Sequence, residues 1–146
     1  MQPVRKLIGV TCGVLMGMSV VAMASPAGAS GVSVKVSPSK GLTNNETVKV
    51  TGKGFPYSTK GKPNSFFATE CTGAVAGKLS LADAPHCDES HVATVKVSKK
   101  GSFSFTFSVI TGVIGDGMCR TPGHLNCVIG VGDIAGQGSV GKITFK

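Results

Sequence analysis

From Val32 onward, apolar and polar residues alternate with a period of two, and no stretch carries a helical period. Val32, Val34 and Val36 form one such series, and Val48 with Val50 a second. Ala93, Val95 and Val97, then Phe103, Phe105, Phe107 and Val109, and finally Ile143 and Phe145 continue the pattern. A repeat of two sets one face of an extended strand against a core and leaves the other in water. The stretches between, 38–45, 52–64, 98–101, 115–117 and 133–141, hold the Gly, Pro, Asn, Asp and Ser that turns use. Lys100-Gly101 is expected to close a hairpin between two neighbouring strands. About seven short strands, each with one apolar face, predict an all-β fold of two antiparallel sheets packed as an immunoglobulin-like Greek-key sandwich. The three phenylalanines of SFSFTFSV share one strand face and belong in its core, because burying each ring is worth about 1.5–3 kcal/mol. With no tryptophan and Tyr57 as its one tyrosine, the chain keeps few rings for stacking on bases.

Residues 1–29 read as a secretory signal. Arg5 and Lys6 precede the apolar or small run Leu7 to Ala24, which contains no acidic residue, and Ala27-Gly28-Ala29 supplies a small-x-small cleavage site. Ala22-Met23-Ala24 offers a second cut after Ala24, but the cut after Ala29 is preferred. The apolar run is long enough to span a membrane, yet its charged start and small-residue exit favour removal, which discards Cys12 and leaves no stable span. The remaining 30–146 has 117 of the 146 residues, enough for one domain with one core.

Taking Arg5 and Lys6 from the 15 basic residues leaves 13 against 7 acidic ones, a net charge of +6. Such a surface attracts polyanions such as nucleic acid, teichoic acid or anionic lipid. The lysines form no run longer than Lys99-Lys100, which also fits an ordinary solvated surface.

Four cysteines stay in the mature chain: Cys71, Cys87, Cys119 and Cys127. An even number in an exported domain reads as two disulfides, and three pairings satisfy it. Pairing in order would close loops of 15 and 7 residues, the larger worth about 3 kcal/mol by the chain-entropy argument. Zinc would need the same thiols with His86, His91 or His124, but the spacings C-x15-C and C-x4-H-x2-C do not repeat as a knuckle, so no metal is expected. There is no G-x-S-x-G elbow and no paired-carboxylate motif, so no enzyme is expected either.

Several longer stretches carry a resemblance. VKVSPSKGLTNNETVKVTGKGF opens the domain, FFATEC leads into the first cysteine, KKGSFSFTFSV follows the second, and CVIGVGDIAGQGSVGKITF closes it. Together, over residues 32–146, they resemble the neocarzinostatin family, the secreted apoproteins of enediyne chromoproteins. The resemblance implies a seven-stranded sandwich, disulfides paired in order, and a cleft between one end of the barrel and small ribbon loops. A non-covalently held enediyne chromophore that cuts DNA would sit there, carried by a monomeric protein whose DNA contact is made through its cargo. CRTPGHLNC would then be a loop held at the rim.

The departures fall on the cleft. Gly73 stands where the family has a tryptophan and Val92 where it has a phenylalanine. Val128 replaces a polar residue and Gly132 a serine. The ITGVIGDGM loop is short, both cysteine loops are long, and the chain is basic rather than acidic. The candidate pocket residues are Phe67, Gly73, Val92, Val128, Val131 and Gly132, suited to an apolar small molecule held by burial. The alternative is an envelope-associated module binding anionic polymers through its lysines.

Overall fold

The alternating segments become strands in the computed structural model, which describes residues 31–57, 65–119 and 126–146. In chain order these are β1 (Ser33–Ser37), β2 (Thr47–Lys53), β3 (Phe66–Thr72), β4 (Cys87–Val95), β5 (Phe103–Ser108), β6 (Gly112–Ile114), β7 (Gly117–Cys119), β8 (Asn126–Gly132) and β9 (Gly138–Thr144). One antiparallel sheet has the order β1-β2-β5 and the other β4-β3-β8-β9, while β6 and β7 form a separate ribbon. Seven strands in two layers plus a ribbon is the expected all-β sandwich. The expected signal segment 1–29 and the middle of the Cys119–Cys127 loop, His124 included, lie outside the described residues.

The core fills the space between the sheets. Val36, Val48, Val50, Phe103 and Phe107 come from one side, and Phe66, Ala68, Val95, Ile129, Val131 and Ile143 from the other. Phe55, leaving β2, sets its ring edge-on to Phe66 at 5.1 Å and to Phe103 at 4.8 Å, the geometry aromatic quadrupoles favour. Gly52 pairs with Phe103 across the sheet, and the ring lies over the bare glycine where a Cβ would overlap it.

Two strands lack the period-two signature for a physical reason. β3 and β8 are central in their sheet and buried on nearly every residue. Their inner face meets the opposite sheet, and their outer face is covered by a second apolar cluster of Cys71, Val75, Cys87 and Val128 with Leu79 and Val140. A strand covered on both sides has no wet face to alternate with.

Three local expectations change. The 98–102 turn forms, with the Ser98 N–H donating to Ser102 O at 2.8 Å and Gly101 at φ 72°. Its flanking strands β4 and β5 belong to different sheets, however, so it is a corner between layers rather than a hairpin. The turn expected over 133–141 ends earlier, because Asp133 Oδ1 accepts the N–H groups of Ala135 and Gln137 at 3.0 and 2.8 Å, and Gly138 already pairs with Gly132. Finally, a 3-10 helix spans Leu81–His86. It starts where Asp83 Oδ2 accepts from the Ser80 N–H and hydroxyl at 2.8 and 2.7 Å, and at six residues it is too short to show a period.

Candidate functional site

The outer face of the four-stranded sheet can be laid out from its register. One row across the strands reads Thr94, Phe67, Gly132, Gly138; the next Val92, Thr69, Gly130, Val140; the third Cys87, Cys71, Val128, Lys142. Gly130, Gly132 and Gly138 therefore leave a trough with a backbone floor. Into it drops the segment that follows β3. A Cβ on Gly130 would stand 3.0 Å from both Leu79 methyls, and one on Gly132 would stand 3.3 Å from Leu79 Cβ. Val75, 2% exposed, packs beside Val128 on the same face.

Beside Leu79 lies a hollow of about 200 Å³ lined by Phe67, Thr69, Leu79, Leu81, Val92 and Ile134, with Cys87 and Gly132 beneath and Asp88, Glu89 and Asp133 at its edge. Phe67 (38% exposed), Leu81 (67%), Val92 (47%) and Ile134 (75%) are four of the six large apolar side chains exposed among the described residues. Their convergence on one hollow is what a small-molecule site needs, since a bound apolar ligand would remove them from water. Among the described residues, Lys, Arg and His are missing from the lining, although basic residues outnumber acidic ones in the chain.

Of the residues anticipated from sequence, Phe67, Val92 and Gly132 come together here. Val131 points the other way and is fully buried in the core between the sheets. Gly73 and Val128 line a separate hollow of about 700 Å³ on the far side of the Leu79 segment. The hollow also draws on Leu79, Leu81 and Ile134, which sequence reading passed over. Leu81 belongs to the unrecognised 3-10 helix, whose Ser80-x-x-Asp83 start is a legible capping pattern. Ile134 lies in a stretch read only as a turn.

The cysteines pair in order. Cys71–Cys87 bridges register partners on β3 and β4 with Cα atoms 3.9 Å apart, and Cys119–Cys127 joins the ribbon to β8 at 6.0 Å. Both bonds withdraw thiolates from any metal, and the described histidines are engaged elsewhere. His86 Nδ1 lies 2.7 Å from Asp116 Oδ1, tying the 3-10 helix to the ribbon turn, and His91 stacks on Phe107 at 4.7 Å. The Asp116 N–H also donates to Pro85 O at 2.7 Å. Helix and ribbon thus brace each other beside the sheet.

On the inner side of β3, Glu70 is fully buried. Its Oε2 accepts the Ile110 N–H at 2.8 Å, while Oε1 has no hydrogen-bond partner among the described residues. Burial pushes its carboxyl up to about 7, against the lowering effect of the Ile110 bond and with some help from the Asp88 charge. Beside it, Asn44 Oδ1 accepts the Thr111 N–H at 2.9 Å, so two side chains pin the chain where it enters the ribbon.

Comparison with known proteins agrees with this architecture. Macromomycin of Streptomyces macromomyceticus is 28% identical over 143 residues, covering 94% of this chain and 91% of its own length. A solved macromomycin structure superposes with a TM-score of 0.55 at 23% identity, over 80% of this chain and 100% of that one. Apokedarcidin in solution gives 0.51 at 24%, over 80% and 99%; at these identities both likenesses speak to the fold. Residues 34–145, from the second residue of β1 to just beyond β9, match the family model itself, and on that match the chain belongs to the neocarzinostatin family.

Proposed function

We propose that the protein is a secreted, non-catalytic carrier that holds an apolar small molecule, of enediyne-like chromophore type, in the hollow over β3, β4 and β8. The observation carrying this reading is the convergence of Phe67, Leu81, Val92 and Ile134 on one hollow in a member of this family. Export is supported by the two disulfides, which persist in oxidising compartments. Purifying the protein from its natural producer, without reduction, should yield a co-eluting chromophore seen by absorbance and mass spectrometry. A clean apoprotein that also ignores polycyclic ligands sinks the reading.

The edge of the hollow narrows the ligand class. Asp88 and Asp133 each commit Oδ1 to a local turn, and Glu89 has no partner among the described residues. Three carboxylates without a cation favour a neutral or positively charged ligand over an anionic one. Naphthalenemethylamine is expected to bind on the order of tenfold more tightly than naphthoate, falling towards parity in Asp88→Asn/Glu89→Gln/Asp133→Asn, which keeps the turn-forming acceptors. Titration by intrinsic fluorescence of the naphthalene checks it; equal affinities in the parent protein count against a role for the carboxylates.

A second reading rests on the opposite side of the molecule. The outer face of β1-β2-β5 presents Lys35, Lys49 and Lys53 among Ser33, Ser37, Thr47, Thr51, Ser104, Thr106 and Ser108, with no acidic residue. That face suits an anionic polymer of the cell envelope. Binding to teichoic acid should fall steeply between low and physiological salt and weaken in Lys35→Gln/Lys49→Gln/Lys53→Gln. Salt-insensitive retention, or none at low salt, excludes it.

A further inference from the structure

The segment 73–80 separates two hollows on one sheet face, and its attachment is unusual. Its backbone hydrogen bonds are local, from the Val75 N–H to Thr72 O at 3.2 Å and from the Lys78 N–H to Ala76 O at 2.9 Å. Among the described residues, no backbone bond crosses from 73–79 to β8 or β9. It is held by what Val75 and Leu79 bury against the sheet, and by its ends at Cys71 and Cys87. Gly77 sits at φ 79° between the two anchors. On one side lies the apolar hollow of Phe67 and Val92; on the other lies the larger one lined by Gly73, Val75, Gly77, Asn126, Val128 and Lys142. Over the glycine trough the Leu79 side chain covers Gly130, and its carbonyl oxygen stands over Gly132 and Gly138.

We propose that Leu79 is the specificity-determining residue of the site: seated on Gly130 and Gly132, it ends the ligand hollow and sets the largest ring system that fits. This rests on the carrier reading above and adds to it a residue and a size limit. The physical basis is that a trough floored by glycine backbone has depth only where no side chain fills it. Leu79 occupies the stretch in which a longer ligand would lie. Trimming it bares the floor over Gly130 and lengthens the hollow, without touching a strand, a disulfide or a backbone hydrogen bond. A fused four-ring ligand then gains a place to lie, whereas a two-ring ligand already fits beside Phe67 and gains little.

The test uses naphthalenemethanol and pyrenemethanol, matched in their polar handle and differing in ring number, titrated against the oxidised full-length mature protein and its Leu79→Val and Leu79→Ala variants. Leu79→Ala should shift the ratio of the two affinities towards pyrenemethanol by on the order of tenfold, with Leu79→Val between, as expected for methylene-scale changes in an apolar pocket. The graded pair guards against a folding artefact, since Leu79→Val keeps an apolar branched side chain over the trough. A ratio unchanged across the series, with both probes still binding, overturns the proposal and leaves the carrier reading intact. Failure of both probes to bind any of the three proteins overturns the carrier reading and this proposal with it.

Discussion

Replacing Glu70 by Gln should flatten the dependence of folding stability on pH between about 4.5 and 7. The carboxyl is fully buried with one oxygen unpartnered among the described residues, and burial raises it from 4.5 to about 7 in the folded protein. A folded state that holds its proton more tightly than the unfolded chain gains stability from that proton. The gain is complete below the unfolded value and disappears as pH rises through the folded one. A gap of this size is worth roughly 3 kcal/mol. The parent protein is therefore expected to lose about that much from this group between pH 4 and pH 8. Gln has nearly the same shape, keeps an oxygen for the Ile110 N–H, and does not titrate. The variant should track the parent at pH 4 and exceed it at pH 8 by a few kcal/mol, roughly 3 at most. Urea denaturation at several pH values measures the difference directly, and taking variant against parent removes the contribution of every other group. Parallel profiles for the two proteins would show that Glu70 stays charged in the fold, with its second oxygen satisfied in a way the structure does not contain.

What the sequence disclosed and what it hid follow from the number of wet faces each segment keeps. β1, β2 and β5 have one face in water, so Val34/Val36, Val48/Val50 and the phenylalanines of β5 announce themselves by alternation. β3 and β8 are covered on both faces, and their alternation is erased by the very segment that walls the candidate site. Register alone decides which of the candidate pocket residues can share the hollow. Phe67, Val92 and Gly132 face outward in adjacent rows, whereas Val131, one residue away from Gly132, necessarily faces inward. Gly73 and Val128 do lie on the outer face, but the segment carrying Leu79 cuts them off from the hollow. That segment is an irregular loop, and nothing in its sequence says where it lies. In hindsight the signal was on its partner: Gly130, Gly132 and Gly138 are glycines on strands, and a glycine inside a strand marks close approach by something else.

The largest effect on both stability and binding should come from removing the bond that closes this loop. Cys71 and Cys87 are buried within the outer apolar cluster, so Cys71→Ala/Cys87→Ala leaves no unsatisfied polar group behind. The pair closes a loop of 15 residues that carries Val75, Leu79 and the 3-10 helix. Freeing that loop in the unfolded chain is worth about 3 kcal/mol, or a fall in Tm on the order of 10–15 °C for a domain this size. The bond across Cys119 and Cys127 closes only 7 residues, yet the logarithm in the chain-entropy relation makes its stability contribution similar, about 2.5 kcal/mol. Stability alone therefore does not distinguish the two bonds; binding does. Cys87 lines the hollow, and Leu79 and Leu81 sit on the loop it closes, whereas neither Cys119 nor Cys127 touches that hollow. A loop already ordered before the ligand arrives spares the ligand the entropy of ordering it. The first double variant should bind naphthalenemethanol about tenfold more weakly at a temperature where it is folded, and Cys119→Ala/Cys127→Ala should bind it like the parent. Equal loss of affinity in both variants would mean that the hollow depends on global stability, and that the loop is not pre-organised by its own disulfide.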